Sequence, residues 1–221
     1  PIWRRAAART QTRLTMRLQR LTKLFCRKRD KTDDEKRKSG ASVERLEKLY
    51  PDVKCSLNYT TPLEMLLATQ MSAQCTDASV NKVTQTLFKK YTCAEDFANA
   101  DISELQNDIR SIGLYRNKSK NIIACCQKII SDYGGEVPDT MEELLTLPGT
   151  GRKTANLILG EIFGKSAVVV DTHCIRLTNR IGLTKEQAPE KIEAELKKLI
   201  PPEKQLDTCH RFVYHGRAVC T

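Results

Sequence analysis

From Ser42 onward, apolar residues recur at the three-to-four spacing of a helix and not at the alternating spacing of a strand. Residues 80–91 put Val80, Val83, Leu87, Phe88 and Tyr91 on one side of a helix. Residues 118–133 do the same with Ile122, Ile123, Cys126, Ile129 and Ile130, and Ile192, Leu196, Leu199 and Ile200 form a third stripe. Asp101 followed by Glu104, and Thr140 followed by Glu143, read as capping boxes that start helices. Tyr133-Gly134-Gly135, Pro148-Gly149, Gly164 and Pro201-Pro202 read as the turns that end them. Only residues 167–170 have strand character, and four residues without a partner do not make a sheet. The pattern predicts an all-α body.

The stripes stop short of the N-terminus. Residues 30–40 (DKTDDEKRKSG) carry charge and no apolar side chain, and read as a solvated linker. Residues 1–29 hold ten Arg/Lys and no acid, a composition that fits an organellar transit peptide or a basic disordered arm. Residues 1–40 are therefore expected to be a basic, disordered extension outside the fold.

Charge changes the picture less than its total suggests. The chain has 37 Lys/Arg and 27 Asp/Glu, a net of +10, but residues 1–38 hold 14 of those bases and 4 of the acids. The rest, 23 of each sign, is neutral overall, with residues 39–150 at −4 and 151–221 at +4. Basicity points only weakly to nucleic acid. The nine cysteines show no C-x-x-C pair, which suits a reducing compartment better than a secreted disulfide scaffold. No apolar run is long enough to span a bilayer, so no membrane role is expected.

Candidate chemistry concentrates in residues 146–163, TLPGTGRKTANLILGEIF. A helix over 140–146 runs into a Leu147-Pro148-Gly149-Thr150-Gly151 turn, and a second helix opens near Arg152. Gly149 and Gly151 permit positive φ and a close backbone approach. The unpaired N–H groups of the new helix would bind an anion, of which a DNA phosphate is a natural example. Such a turn can also be a plain connector between helices. It is not a nucleotide-binding P-loop, since both the spacing and a preceding strand are absent. Lys153 falls in the first turn of this helix, beside Arg152. The helix dipole and the neighbouring cation both favour the neutral amine that a Schiff base requires. A lysine taken alone there is ordinarily a surface residue or a phosphate contact. Asp171 follows Val168-Val169-Val170 at the start of another helix, where an N-cap is its default role. A cap carboxylate can still stabilise positive charge on a sugar as its base departs.

LPGTGRKTAN followed by VVVDTH, with Lys153 and Asp171 eighteen residues apart, resembles the helix-hairpin-helix DNA glycosylases. LLATQMSAQCTDASVNK (66–82), SIGLYRNKSKNI (111–122), NRIGLT and CHRFVYHGRAVC resemble stretches of bacterial endonuclease III in one register over about 42–221. The resemblance implies a fold of two helical lobes with a central DNA-binding cleft. A six-helix lobe would span 55–165 with the hairpin at about 140–163, and residues 42–54 would join 166–221 in the second lobe. It implies a base-excision repair glycosylase with abasic-site lyase activity, acting as a monomer on duplex DNA with oxidised pyrimidines or abasic sites.

By the same resemblance Lys153 is the Schiff-base nucleophile and Asp171 the catalytic carboxylate, both facing the cleft. Gln74 enters the space left by the flipped base, and Leu114 wedges beside it, although leucine by itself would be read as core. Leu147, Gly149, Thr150, Gly151 and Arg152 contact DNA, while Ser72, Asp77, Tyr115 and His173 lie near the pocket. The implied location is the bacterial cytoplasm, on the nucleoid, or an organelle if the Arg-rich start is a transit peptide. Two other readings remain: a monofunctional mismatch adenine glycosylase, and a non-catalytic DNA-binding module.

One feature departs from the pattern. Endonuclease III carries a [4Fe–4S] cluster on C-x6-C-x2-C-x5-C; here Cys220 takes the first position and the other three ligands are absent, as expected of a version without the cluster or, the reading the position of Cys220 favours, of a C-terminally truncated chain. The chain as given cannot assemble the cluster.

Overall fold

The computed structural model describes residues 34–220. The basic stretch 1–33, with its transit-peptide reading, lies outside the described residues. The described residues are helical, with no strand among them, so the all-α reading holds. Residues 167–170 form a buried extended segment without a partner strand.

Helix α1 (Asp34–Leu49) corrects the linker reading of 30–40, because the helix already runs from Asp34. Glu, Lys and Arg are good helix formers, and the helix continues to Val43 and Leu46, which are buried. Tertiary burial of that later face holds a segment whose first turns show no apolar pattern.

The chain divides into two compact units. Cys55–Ala167 forms one. It contains α2 (Pro62–Ser72), α3 (Asp77–Lys90), α4 (Ala94–Ala98), α5 (Ile102–Asp108), α6 (Tyr115–Tyr133), α7 (Met141–Leu144) and α8 (Arg152–Glu161). These are seven helical segments where the resemblance implies six, α7 being a single turn. Thr61 caps α2 by accepting the Glu64 N–H, with Pro62 at the first helical position, and Asp101 caps α5 through the N–H groups of Ser103 and Glu104. Met65 to Met71 of α2 are all buried, so this helix runs through the core and lacks a polar stripe. Helix α6 packs against α2, α4 and α5. Tyr91 stacks on Phe97 with ring centroids 5.0 Å apart.

The second unit joins α1 to the chain from Val168 onward. It holds α9 (Thr172–Ile181), α10 (Pro189–Leu199), a 3-10 turn (Pro202–Lys204) and α11 (Gln205–Ala218). Helix α11 packs on α1 and α9, around the buried Leu46, Leu177 and Phe212. Arg211 Nε donates to the Tyr50 carbonyl at 3.0 Å, which fixes the end of α1 to α11. Among the described residues no helix is long and apolar enough to cross a membrane. The eight described cysteines are free thiols.

Candidate active site

The hairpin is built in steps. Thr140 Oγ1 accepts the Glu143 N–H at 3.2 Å and donates to Glu143 Oε2 at 2.6 Å, which starts α7. The chain turns after Leu147, whose side chain is 2% exposed and whose carbonyl accepts the Thr150 N–H at 3.1 Å. Gly149 has φ +77°, and a Cβ there would stand 3.0 Å from Asn121 Cβ and 3.2 Å from Gln70 Oε1. Both the left-handed backbone and the lack of room select glycine. Gly151 differs from expectation: its φ of −99° and ψ of 176° are ordinary extended backbone. A Cβ there would meet nothing within 4 Å. What its missing side chain provides is open space before α8.

Gln70 of α2 holds this turn from within the unit. Its Nε2 reaches the Pro148 carbonyl at 3.1 Å and Thr150 Oγ1 at 3.0 Å. The Leu147 side chain and the Thr150 hydroxyl therefore face inward. The outward surface is the backbone of 149–152 with the exposed side chains of Arg152 and Lys153. Lys153 is the second residue of α8, and Gly151 caps that helix without a side-chain bond. The positive end of α8 thus opens to solvent beside two cationic side chains, an arrangement suited to an anion.

Two loops of the same unit share an unusual conformation. Gln74 (φ 56°) and Leu114 (φ 61°) are the non-glycine residues with positive φ among those described. Each costs roughly 1–2 kcal/mol against ordinary backbone, and such strain collects at functional sites. Leu114 is 55% exposed, so it is not the core residue that its chemistry alone suggests. The loops meet where the Gly113 N–H donates to Cys75 Sγ at 3.2 Å. Nearby, Ser72 Oγ donates to the Thr69 carbonyl at 2.8 Å, and Asp77 accepts from Ser56 Oγ at 2.7 Å. Tyr115 opens α6 with the Arg116 guanidinium 5.6 Å from its ring centroid.

Asp171 belongs to the other unit. It caps α9, Oδ1 accepting the Cys174 N–H at 2.7 Å, which is the role its sequence position predicts. His173 Nδ1 pairs with the Arg176 guanidinium at 3.0 Å. Arg176 also donates to the carbonyls of Gly216 at 3.2 Å and Cys220 at 2.7 Å. Gly216 lies so close that a Cβ on it would stand 2.5 Å from His173 Nδ1. Sequence reasoning did not single out Gln70, Arg176 or Gly216. A glycine inside a helical stretch was the available signal for Gly216, because it costs helix stability unless something packs against it.

The described residues do not fit an iron–sulfur cluster. Cys220 is buried, and its Sγ accepts from Arg180 Nη1 at 2.9 Å. Among the described residues no group of three His, Cys, Asp or Glu could hold a metal ion.

A family described as "HhH-GPD superfamily base excision DNA repair protein" matches residues 67–202. The chain belongs to this family. Among its HhH-GPD relatives, a Synechocystis protein named Endonuclease III is 53% identical over 176 residues, 79% of this chain and 80% of that protein. A Bacillus subtilis protein of the same name is 45% identical over 179 residues, 80% of this chain and 82% of that protein. A solved structure of a trapped Endonuclease III–DNA covalent intermediate superposes with a TM-score of 0.82 at 44% identity, covering 84% of this chain and 88% of that one.

Proposed function

We propose that this HhH-GPD chain is a bifunctional glycosylase and abasic-site lyase of the endonuclease III type, with Lys153 as its nucleophile. One observation carries the reading. An exposed amine stands in the first turn of a helix after a glycine hairpin, in a chain 44% identical to an enzyme trapped covalently on DNA. A covalent intermediate requires a nucleophile from the protein. A water-using adenine glycosylase needs no amine at this position, and a simple binding module needs no reactive group, so neither alternative is favoured.

A DNA phosphate docks on the start of α8 and Arg152. The duplex bends, the damaged nucleotide leaves the stack, Gln74 takes its place and Leu114 wedges beside it. The unprotonated Nζ of Lys153 attacks C1′. The bond from C1′ to the base breaks, and the base leaves with the electron pair and gains a proton. The Asp171 carboxylate stabilises positive charge on the sugar during this step. The sugar ring opens to an imine, C2′ loses a proton, and the 3′ phosphate departs by β-elimination. Water then hydrolyses the imine and frees Lys153. Ser72, Asp77, Tyr115 and His173 contribute to recognition around the pocket. The substrates are oxidised pyrimidines or abasic sites in duplex DNA, and the enzyme works as a monomer on the bacterial nucleoid. An organellar address applies only if the Arg-rich start is a transit peptide.

The test is borohydride trapping on a duplex with an abasic site. A covalent adduct with the wild type and none with Lys153→Ala supports the lyase. Base release without an adduct would indicate the monofunctional enzyme, and binding with neither would leave a binding module.

A further inference from the structure

We propose that Lys118 is a positioning residue that presets Gln74 and Leu114 for insertion into the duplex; the inference rests on the insertion roles given to those two residues above. Lys118 lies in the first turn of α6, only 6% exposed. Its ammonium has three protons, and three acceptors meet it: the Met71 carbonyl at 2.8 Å, the Ala73 carbonyl at 2.7 Å and Cys75 Sγ at 3.5 Å. A buried cation so fully enclosed is a structural fastener and not a solvated surface charge.

What it fastens is the end of α2. The last carbonyls of a helix lack partners within it, and here each has a named donor. Ser72 Oγ serves Thr69, the Ala73 N–H serves Gln70, Lys118 serves Met71 and Ala73, and the Cys75 N–H serves Ser72. The chain thus leaves α2 along one path, and Gln74 sits on it between two residues that Lys118 holds. The sulfur of Cys75 then accepts the Gly113 N–H at 3.2 Å, one residue before Leu114. A Cβ on Gly113 would lie 3.4 Å from that sulfur and 3.8 Å from the Gln74 carbonyl, so the two strained loops touch. Lys118 itself stands four residues after Leu114, and its backbone N–H donates to the Leu114 carbonyl at 3.0 Å. Lys118 therefore ties both left-handed residues to one point, its side chain holding the neighbours of Gln74 and its backbone N–H holding Leu114.

Preorganisation of this kind matters only where a stack must be opened. Single-stranded DNA with an abasic site presents no partner base to displace, so Schiff-base formation there needs Lys153 but not the inserted pair. The experiment compares borohydride trapping rates on duplex and single-stranded abasic oligonucleotides for wild type, Lys118→Met and Cys75→Ala. For Lys118→Met the duplex-to-single-strand ratio should fall by about ten- to a hundredfold, the scale of an ångström-sized misplacement, while single-strand trapping holds. Cys75→Ala, which keeps the two carbonyl contacts, should fall in the same direction by less. Circular dichroism melting verifies that each variant is folded. If Lys118→Met does not fold, Cys75→Ala decides alone: a lowered ratio supports the proposal and an unchanged ratio overturns it. A folded Lys118→Met with the wild-type ratio also overturns it. Absence of any adduct with wild type on either substrate would instead overturn the lyase reading on which the proposal rests.

Discussion

Asp171 caps α9 and, in the proposed mechanism, also stabilises charge on the sugar; two substitutions separate these roles. Its Oδ1 accepts the Cys174 N–H at 2.7 Å, a bond that needs an oxygen but not a charge. Asn ranks with Asp as an N-cap, so Asp171→Asn loses only the charge–dipole part, about 0.3–1 kcal/mol. Asp171→Ala also loses the cap, a further 0.5–2 kcal/mol or about that. At roughly 2–4 °C per kcal/mol for a chain of this size, the Asn variant should melt at most about 4 °C low. The Ala variant should melt lower still, by about 1–8 °C. Base release should behave differently, because stabilising a developing cation needs the charge. Both variants should slow it by about a hundred- to a thousandfold, the usual effect of removing one such group. The assay is single-turnover release of an oxidised pyrimidine, with thermal melts on the same preparations. An Asn variant that releases base at the wild-type rate would refute the catalytic role and leave Asp171 as a cap alone.

Gly216→Ala should destabilise by about 1–3 kcal/mol, since its Cβ would fall 2.5 Å from His173 Nδ1. The loss should shrink in a His173→Ala background, and simple additivity in that double-mutant cycle would count against the contact. Leu114→Gly removes an exposed leucine from a backbone of φ 61°. It should raise the melting temperature while lowering cleavage of duplex substrate, and a lower melting temperature would mean the conformation is not strained. Burial lowers the pKa of His215 from 6.5, so the folded state favours the neutral ring. As the pH falls through that value the unfolded chain takes up the proton first, and stability present above it is lost. Melting temperature should therefore drop on acidification, and His215→Asn should flatten the drop; an equal slope in both proteins would assign it to other groups.

Much of this was legible in the sequence because it depends on local chemistry. Asp171 was placed as an N-cap by the change from Val168-Val169-Val170 to a helical pattern, and the start of α8 at Arg152 followed from Gly149-Thr150-Gly151. What escaped depends on partners distant in sequence. Gln70 meets Pro148 and Thr150, and no spacing rule links positions so far apart. Lys118 looked like one more basic residue of α6. Yet it falls on the buried stripe with Ile122, Cys125 and Ile129, and that placement was its signal. Leu114 failed the opposite way, because its exposure follows from a turn geometry that leucine rarely adopts. The charged start of α1 was read as linker because its reason for folding, burial of Val43 and Leu46, lies further along the helix.

Helix α2 acts as a gauge of fixed length. Gln70 seats the hairpin, and the carbonyls of Met71 and Ala73 receive Lys118 only one and three residues later. An inserted residue within this span would turn everything after it by about 100° and advance it about 1.5 Å. The seat of the hairpin and the base of the loop that carries Gln74 could not both survive such a change. Length variation is tolerable ahead of Thr61, where the helix begins at exposed residues, but not between Gln70 and Cys75. The spacing of this short stretch is therefore constrained together with the side chains of Gln70, Ser72 and Cys75 that act from it.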